Sequence, residues 1–387
     1  MHLAPFLVLL GGVSSSLCQV VGSPYGFAKG VTGGGNATPK KPKDIAELKS
    51  WLADDTPRVI MIDKTFNFLG SEGTVTENGC RLTSGCTAAN GGQDTIKTGG
   101  CDSNEKSIQV KYDKASYIGM PVGSNKSLVG VGNKGVLYGK GLRFNTGAKN
   151  IIIQNIHIDA SCINLNPQYV WGGDAISLSG NDGVWIDHCK LSRAGRQMFV
   201  SHYEASRVTI SNTEFDGRTD YSHSCNNDHY WAIIIGGKGD KITLDKNYLH
   251  DLSGRAPKIG SSEGIQTVQA VNNYFNYNTG HNFDISSSGR VLLEGNRFEN
   301  SKTPITDASK AGKIFNVPDS DSRTTCSSSL GRNCEMNAYT SSGAVPSRKD
   351  TVVLTELDKY KSNLVTPIRY GEVKGHVNGN YGIGRIN

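Results

Sequence analysis

The chain has 387 residues, of which 47 are glycine and 12 are proline, and it carries a formal net charge of +6. This composition is typical of a β protein with many turns rather than of a helical protein. The sequence contains no Lys/Arg-rich run of the kind that binds nucleic acid. The small positive charge therefore predicts a mildly basic protein without a nucleic-acid partner.

Residues 1–19 have the composition of a secretory signal peptide. An apolar run, 3–13, precedes small residues at 14–16, although only the α-amine and His2 supply charge at the basic end. The run is too short to span a bilayer, and no later stretch is a membrane candidate. We therefore expect a secreted, extracellular protein without a membrane segment.

Secretion into an oxidising compartment favours disulfide bonds. Cys18 falls within the predicted signal, which leaves eight cysteines in the mature chain. Their spacing does not determine how they pair, and it is not that of a zinc site. The same context makes the sequons at Asn36 and Asn125 candidate glycosylation sites. The eight cysteines are Cys80, Cys86, Cys101, Cys162, Cys189, Cys225, Cys326 and Cys334.

Short β-branched runs recur through the middle of the chain. Equivalent apolar positions are separated by 24, 34, 26 and 23 residues. A period of this size with strand-like content, and with no helix between strands, is typical of a solenoid. Asparagines recur near the turns, where they can form a ladder of side-chain hydrogen bonds. The equivalent positions are Val184, Val208, Ile242, Val268 and Val291.

We therefore predict an all-β fold, a parallel β-helix in which each coil contributes one short strand to each sheet. An antiparallel sandwich is the alternative, but its hairpin signals, Asn-Gly or Asp-Gly turns at regular spacing, are sparse. Upstream, Asp44 can cap a short helix whose apolar face carries Leu48 and Leu52, and a strand follows at 58–62. Such a helix would cover the open end of a sheet.

The flanking segments have no repeat. Residues 20–42 are predicted to form an extended lead-in, and residues 70–106 a long polar loop that disulfides tether. After residue 298 the repeat fades. A short helix is predicted at 354–365 and an extended tail, laid over the solenoid, at 371–387.

Six motifs in this order resemble the pectate lyase superfamily, and within it the fungal-type pectin lyases. The resemblance extends from residue 26 to about residue 334, which is most of the mature chain. It implies that the β-helix is right-handed and that residues 20–387 form one catalytic domain. The motifs are Trp171-Gly-Gly-Asp-Ala-Ile176, Trp185-Ile-Asp-His188, Gly195-Arg-Gln197, Asp220-Tyr-Ser222, His229-Tyr-Trp231 and Ser253-Gly-Arg-Ala-Pro-Lys258.

The resemblance implies a polysaccharide lyase that cleaves methyl-esterified galacturonan by β-elimination and leaves a 4,5-unsaturated end. This chemistry requires a base for the proton at C5, a cationic or hydrogen-bonding group for the charge that develops on the carboxyl group, and departure of O4. A methyl ester carries no charge that a metal must neutralise. We therefore expect methyl-esterified pectin as substrate, a monomeric enzyme, and neither cofactor nor metal.

By motif, Arg255 corresponds to the catalytic arginine of the family, which is placed as the C5 base. A guanidinium normally holds its proton, so neighbouring cations would have to weaken that hold. Arg196 and Lys258, which correspond to positions facing the substrate carboxyl group, could do so, and Arg196 occupies the place of a calcium ion. Asp174 would orient Arg196 or the substrate. The structural alternatives are a carboxylate-gripping Arg255 and a turn-capping Asp174.

Trp171, Trp231 and Tyr230 are candidate contacts for the apolar face of a sugar, with core packing as the alternative. Pectin lyases often carry tryptophans in the loop that corresponds to residues 80–101, and this chain has none there. The preferred degree of methylation is therefore open. The resemblance also implies disulfides between Cys80 and Cys101, Cys86 and Cys225, and Cys326 and Cys334, with Cys162 and Cys189 free.

Three other functions are alternatives. A calcium-dependent pectate lyase would need a cluster of acidic ligands where Asp174 lies beside Arg196. A polygalacturonase would need paired carboxylates, and no such pair stands among the six motifs. A catalytically silent wall-binding β-helix would not require Arg255 and Lys258 to be present. Asp187-His188 is predicted to be a buried structural pair in the solenoid wall.

Overall fold

The structure is a computed structural model that describes residues 19–83, 85–97, 99–160 and 170–386, with only the backbone of Val170 and Trp171. Residues 1–18 of the predicted signal peptide, including Cys18, lie outside the described residues, as does Cys162. Among the described helices, none is long and apolar enough to cross a membrane.

Three parallel sheets form the body of the fold, and successive turns of the chain add strands to each of them in the same order. Neighbouring strands of one sheet are separated in sequence by strands of the other two sheets, which is the winding of a parallel β-helix. The predicted all-β parallel β-helix is confirmed. We name the sheets I, II and III in the order in which the chain enters them.

Sheet I has nine strands: Arg58–Ile62, Lys126–Gly130, Ile151–Gln154, Asp182–Asp187, Arg207–Ser211, Lys241–Asp245, Gln266–Val271, Gly289–Glu294 and Lys313–Phe315. Sheet II has nine: Thr65–Asn67, Val136–Tyr138, His157–Asp159, Lys190–Ser192, Glu214–Asp216, Tyr248–His250, Tyr274–Asn276, Arg297–Glu299 and Ala338–Thr340. Sheet III has eight: Met120–Val122, Leu142–Phe144, Ile176–Leu178, Phe199–Ser201, Ile233–Ile235, Lys258–Ile259, His281–Ile285 and Thr303–Ile305. The described α-helices are Ile45–Ala53, Lys114–Tyr117, Ser320–Thr325, Ser327–Leu330, Val352–Asp358 and Val373–Val377, and the 3-10 helices are Gly26–Ala28, Ala88–Asn90, Asp307–Ala311 and Lys361–Asn363.

The sequence repeat coincides with the register of sheet I. Its five equivalent positions are direct partners in consecutive strands, and all five side chains are fully buried. The one long spacing leaves the ladder undisturbed, because the extra residues, 217–232, lie between a strand of sheet II and a strand of sheet III. The repeat period is therefore the length of one coil.

Aromatic rings stack in the same way in sheet II. Phe275, Phe298 and Tyr339 occupy consecutive rungs, with ring centroids 4.5 and 5.2 Å apart. Parallel in-register strands place equivalent side chains above one another at a spacing of about 4.8 Å, which suits ring stacking. Each buried phenylalanine contributes about 1.5–3 kcal/mol to the stability of the fold.

A ladder of buried asparagines stands directly before four consecutive strands of sheet II. The ladder consists of Asn247, Asn273, Asn296 and Asn337. The side-chain Nδ2 of each of the first three donates to the Oδ1 of the next at 2.9 Å. The backbone N–H groups of the first three donate to the same oxygens at 2.9–3.0 Å. Each Nδ2 also donates to a backbone carbonyl. The predicted asparagine ladder is confirmed, and it satisfies polar groups that each turn would otherwise bury unpaired.

The helix Ile45–Ala53 begins where the sequence predicts it. The Asp44 carboxylate caps it by accepting from the backbone N–H of Glu47 at 2.9 Å. Leu48 and Leu52 are fully buried in the main core, which they reach beside the first strand of sheet III. The predicted strand at 58–62 follows directly and opens sheet I.

The polar loop predicted for residues 70–106 is wrong in part. Thr74–Leu82 and Glu105–Asp113 pair antiparallel along their whole length, in a four-stranded side sheet with Asp94–Ile96 and Val170–Trp171. Thr74–Leu82 has few buried side chains and little apolar alternation, so its sequence resembles a loop. Glu105–Asp113 does alternate, through Ile108, Val110 and Tyr112, but it lies largely beyond residue 106 and its partner strand carries no matching pattern. Long-range pairing rather than local composition forms them.

Three disulfides brace the long connections. One closes the side sheet, one joins it to the insertion at 217–232, and one lies in the C-terminal part. Free Cys189 is fully buried, and burial raises the pKa of its thiol to about 12. The pairings are those that the resemblance implies: Cys80 with Cys101, Cys86 with Cys225, and Cys326 with Cys334.

The C-terminal segments cover the coil. The helix predicted at 354–365 is shorter, Val352–Asp358, and a separate 3-10 turn follows it. The final helix, Val373–Val377, packs against Tyr274 on the outside of sheet II. The predicted tail therefore lies over the solenoid, but part of it is helical.

The two candidate glycosylation sites differ in their surroundings. Asn36 is exposed. Asn125 is half-buried, accepts a hydrogen bond from Asn150 Nδ2 at 2.9 Å and donates to the carbonyl of Asp55 at 3.4 Å. A glycan on Asn125 would replace one of its amide hydrogens and compete with this packing. Glycosylation of both sites stays a prediction.

His229 ties the insertion to the coil before it. Its buried Nε2 lies 2.8 Å from the carbonyl oxygen of Arg196 and 3.1 Å from that of Trp231, so this nitrogen carries the hydrogen. Burial lowers the pKa of His229 to about 4, although the hydrogen bonds to the two carbonyls oppose the change. The neutral imidazole is therefore the form that the fold requires.

Replacing Asn273 should break the asparagine ladder. The change Asn273→Ala removes both amide groups and leaves buried partners on the neighbouring coils unpaired, so the free energy of unfolding should fall by about 3 kcal/mol. Denaturant unfolding measures the change. Asn133 is exposed, and Asn133→Ala should stay within about 0.5 kcal/mol of the parent protein. Equal free energies of unfolding for the two variants would mean that the asparagine ladder does not stabilise the fold.

Acidification should destabilise the fold through His229. The unfolded imidazole takes up its proton near its ordinary pKa of about 6.5, whereas the folded one stays neutral down to about pH 4. The unfolded state therefore binds this proton first, and up to about 3 kcal/mol of unfolding free energy is lost as pH falls from 6.5 to 4.

The variant His229→Gln tests this, because its amide nitrogen can still donate to the carbonyls. Its melting temperature should fall less steeply between pH 7 and pH 4 than that of the parent protein. The exposed His376 supplies the control, and His376→Gln should follow the parent slope. A parent-like slope in His229→Gln would remove this histidine from the acid response.

Candidate active site

The polar motifs meet at one edge of sheet III, in the segments that lead into its strands. Backbone hydrogen bonds join these segments from coil to coil: Arg196 N donates to the Gly173 carbonyl at 2.6 Å, and Met198 N to the Trp231 carbonyl at 3.1 Å. Further along, Ile233 N donates to the carbonyl of Arg255 at 2.7 Å. Asp174, Arg196, Trp231 and Arg255 therefore lie at, or within one residue of, matching positions on four successive coils.

Asp174 and Arg196 form a two-pronged ion pair. Arg196 Nε donates to Asp174 Oδ1 at 2.7 Å, and Nη2 donates to Oδ2 at 2.6 Å. The backbone N–H of Gln197 also donates to Oδ1, at 3.0 Å. The hydrogen bonds to Asp174 raise the pKa of Arg196, which makes it a fixed cation. Its side chain is still 34% exposed, so it can contact a ligand in addition to Asp174.

Arg255 stands on an aromatic platform. Its guanidinium lies over the ring of Trp231, 4.5 Å from the centroid, and 5.8 Å from the centroid of Tyr230. The backbone of Arg255 is left-handed, with φ +47°, and Gly254 lies so close to Tyr230 that a Cβ there would meet the ring at 2.5 Å. Cation–π contact and the tight turn therefore fix the direction of this side chain.

Lys258 projects from the outer face of sheet III. It is the register partner of Ile234 on one side and of Asp284 on the other. Its Nζ lies 3.7 Å from Asp284 Oδ2, a longer and weaker pairing than that of Arg196 with Asp174. Lys258 therefore remains available to a negatively charged or developing carboxyl oxygen.

Two histidines surround Arg255. Its backbone N–H donates to His281 Nε2 at 3.1 Å, so this nitrogen carries no hydrogen. Burial lowers the pKa of His281; Asp284 acts in the opposite direction, and Arg255 and Lys258 add to the lowering. The ring of His223 lies 5.1 Å from that of Trp231, and burial likewise lowers the pKa of His223. Both imidazole rings are therefore uncharged at neutral pH.

A groove continues from the Asp174–Arg196 pair on the side away from Arg255. It has a volume of about 530 Å³. Strand Leu142–Phe144 forms one side, and the His202–Tyr203 turn forms another. The site is therefore an open, elongated surface, which suits a polymer better than a small enclosed ligand.

The structure thus assembles most of the residues that the sequence singles out. Arg196, Asp174, Arg255, Tyr230 and Trp231 share the same edge of sheet III, and Lys258 lies on its face. Trp171 is described by its backbone alone, so its proposed sugar contact lies outside the described residues. The roles of all these residues stay predictions.

Asp187 and His188 lie elsewhere. They end a strand of sheet I, where His188 Nδ1 and Asp187 Oδ2 are 2.7 Å apart. Asp187 also accepts from Ser211 Oγ at 2.7 Å and from Asn212 Nδ2 at 3.0 Å. These bonds link neighbouring coils, as expected of a structural pair in the wall.

Sequence reasoning missed Asp284, His281 and the residues of the groove. A signal for the first existed: Asp284 stands between the buried Phe283 and Ile285 on one strand, and the next coil back places Lys258 beside Asp284. Alternation alone does not reveal which strands are neighbours. Arg143 and Tyr203 carried no motif at all.

No group of three possible metal ligands lies at this edge among the described residues. Two such groups occur elsewhere. Cys80, Cys101 and Glu105 form one, in which both cysteines are in a disulfide. The other consists of Glu214, Asp216 and His250, and its two carboxylates form ion pairs with Lys190 of sheet II.

Comparison with known proteins agrees with this geometry. The family described as pectate lyase matches residues 81–384. The chain is 50% identical over 378 residues to the probable pectin lyase F-2 of Aspergillus terreus, an alignment that covers 97% of this chain and 76% of that protein. It is 49% identical over 376 residues to the probable pectin lyase F of Neosartorya fischeri, covering 95% and 96%.

Solved structures show the same fold. A pectate lyase bound to a hexasaccharide superposes with a TM-score of 0.59 at 17% identity, covering 95% of this chain and 99% of that one. At this identity the likeness concerns the fold alone. The family match covers residues 81–384, and the relatives are about half identical along nearly the whole chain. This chain therefore belongs to the pectate lyase family.

Proposed function

We propose that this protein is a pectin lyase that cleaves methyl-esterified galacturonan within the chain by β-elimination. Residues 20–387 form its catalytic domain, which acts outside the cell as a monomer. Relatives named probable pectin lyase, about half identical over nearly the whole chain, support the substrate class. The signal-like N-terminus and the three disulfides support secretion.

The Asp174–Arg196 pair is the observation that carries the proposal. Both carboxylate oxygens of Asp174 already accept hydrogen bonds from Arg196 at 2.6–2.7 Å. A guanidinium thus occupies the position in which an acidic side chain could hold a divalent cation. Arg196 can then donate to the carbonyl oxygen of an ester, whose developing negative charge it stabilises.

In the proposed reaction Arg255 and Lys258 have different tasks. Arg255 takes the proton from C5, so the C5–H bond breaks and its electron pair forms the C4=C5 double bond. The C4–O4 bond breaks at the same time, and O4 leaves with a proton from solvent. Arg196 and Lys258 stabilise the charge that builds on the carboxyl oxygen. Arg255 acts from its neutral form and ends as a guanidinium.

The environment of Arg255 supports this role in part. The Trp231 ring at 4.5 Å holds the guanidinium in place, and no described carboxylate forms an ion pair with it. Lys258, only loosely paired at 3.7 Å, adds a positive charge on the same side of the sheet.

A calcium-dependent pectate lyase is the second candidate. Solved relatives of the same fold are named pectate lyases, although identity to them is 16–20%. Asp174 would have to release Arg196 before it could bind a cation. The cost of separating a partly buried, two-pronged ion pair weighs against this candidate.

The first test compares substrates and metals. Formation of the unsaturated product, followed by its ultraviolet absorbance, should be fast on highly methylated pectin and should be unaffected by EDTA, because Arg196 fills the place of the cation. Activity on unesterified polygalacturonate should be low with or without calcium. Activity only on polygalacturonate, and only with calcium, would replace the proposal with the second candidate. No product from either substrate would leave a wall-binding role.

The second test concerns Arg255. Arg255→Ala should lower kcat by roughly 10²–10⁴-fold through loss of the base, while the free energy of unfolding changes by no more than about 1 kcal/mol. Arg369 is exposed in the C-terminal tail, and Arg369→Ala should keep the parent kcat. The variant Arg255→Lys distinguishes a proton-accepting role from simple binding of a carboxylate. If Arg255 is the base, this variant should keep partial activity with a shifted pH–rate profile. Parent-like activity of Arg255→Ala would remove this residue from the mechanism.

A further inference from the structure

The groove beyond the Asp174–Arg196 pair contains a second, unassigned cation. Arg143 lies at the centre of the strand Leu142–Phe144, on the outer face of sheet III. It is the register partner of Ser177, on the next strand towards the reaction centre. Its side chain therefore faces the same groove as Arg196.

Arg143 differs from Arg196 in having no charged or hydrogen-bonded partner among the residues that the structure describes. Among the described residues, no ion pair or hydrogen bond involves its guanidinium, and the residue is exposed. Arg196, by contrast, is held by two hydrogen bonds to Asp174. Most other arginines on this molecule are likewise paired, as Arg193 is with Asp159. A guanidinium on the side of a groove, without a partner among the described residues, is available to a ligand.

An exposed aromatic ring lines the same groove as this cation. Tyr203 is 73% exposed, and its backbone is left-handed, with φ +59°, a conformation that is costly for a bulky residue. Its ring lies 4.2 Å from that of His202, and His202 Nε2 is 3.2 Å from Ser177 Oγ. The groove wall thus holds an exposed ring in a strained position. Such a ring suits the apolar face of a sugar.

We propose that Arg143 and Tyr203 form a binding site for a galacturonate unit with a free carboxylate, in the same polymer whose esterified unit is cleaved. The inference rests on the proposed function and narrows its substrate to partly esterified pectin. A guanidinium can donate two parallel hydrogen bonds to a carboxylate, whereas a methyl ester offers only one strong acceptor. Tyr203 stacks on the ring of the bound sugar.

The position separates this unit from the one that reacts. The strand of Arg143 lies four steps along sheet III from the strand of Lys258. At about 4.8 Å per step the two backbones are roughly 19 Å apart. The free carboxylate therefore binds without placing an anion at the reaction centre, where an ester is required.

The test compares three variants on two substrates. Arg143→Gln removes the charge, Arg143→Lys keeps it, and Arg369→Gln removes the same charge from an exposed arginine outside the groove. On half-esterified pectin, Arg143→Gln should raise KM about 3- to 10-fold with little change in kcat, as for loss of one exposed charged contact. On fully esterified pectin the rise should be clearly smaller. Arg143→Lys should retain most of the affinity, and Arg369→Gln should match the parent protein.

Two results would overturn the inference. Equal changes in KM on the two pectins would mean that Arg143 does not recognise the carboxylate. An equal rise in Arg369→Gln would mean that net charge alone attracts the polymer.

Calorimetric binding of an unesterified hexagalacturonate separates this inference from the proposed function, because it needs no turnover. Arg143→Gln should bind about 3- to 10-fold more weakly than the parent protein and than Arg369→Gln. Equal affinity of all three proteins would overturn the inference even if the enzyme is an active lyase. The predicted loss of affinity in a protein that lacks lyase activity would uphold the site and reject the proposed function.

Discussion

The in-register stacking of coils is the constraint on which everything else depends. A parallel ladder places each residue directly above its equivalent on the next coil, so a buried side chain must pack against the side chains at the same position of the neighbouring coils. Valine and isoleucine do so in sheet I, phenylalanine in sheet II, and asparagine at the turn, where Asn273 satisfies both neighbours. A single shift of register would break all of these contacts together.

The same stacking builds the candidate active site. Residues that are 22 to 35 positions apart in sequence, such as Asp174, Arg196 and Trp231, become neighbours because each stands at, or within one residue of, the same point of its coil. The insertion at 217–232 delivers Tyr230 and Trp231 beneath Arg255. Buried His229 fixes that insertion to the coil of Arg196. Fold stability and the geometry of the cations thus share the same hydrogen bonds.

Charge pairing distinguishes the cations of this surface. Arg196 is held by Asp174 and is a rigid donor, Lys258 is loosely paired with Asp284, and Arg255 rests on aromatic rings. Three cations close to one edge of sheet III repel one another in the absence of a ligand. An acidic or carboxyl-bearing polymer relieves that repulsion, which connects the electrostatics of the surface to its proposed substrate.

The sequence by itself determined the coil period, the asparagine ladder, the N-terminal helix and the cationic motifs, because these are local patterns that repeat at one-coil spacing. It did not predict the side sheet, since Thr74–Leu82 has little apolar alternation and is a strand only through its antiparallel pairing with Glu105–Asp113. Nor did it indicate Asp284 beside Lys258, or Arg143 and Tyr203 in one groove. Those neighbours come from strand register between coils, which only the tertiary structure fixes.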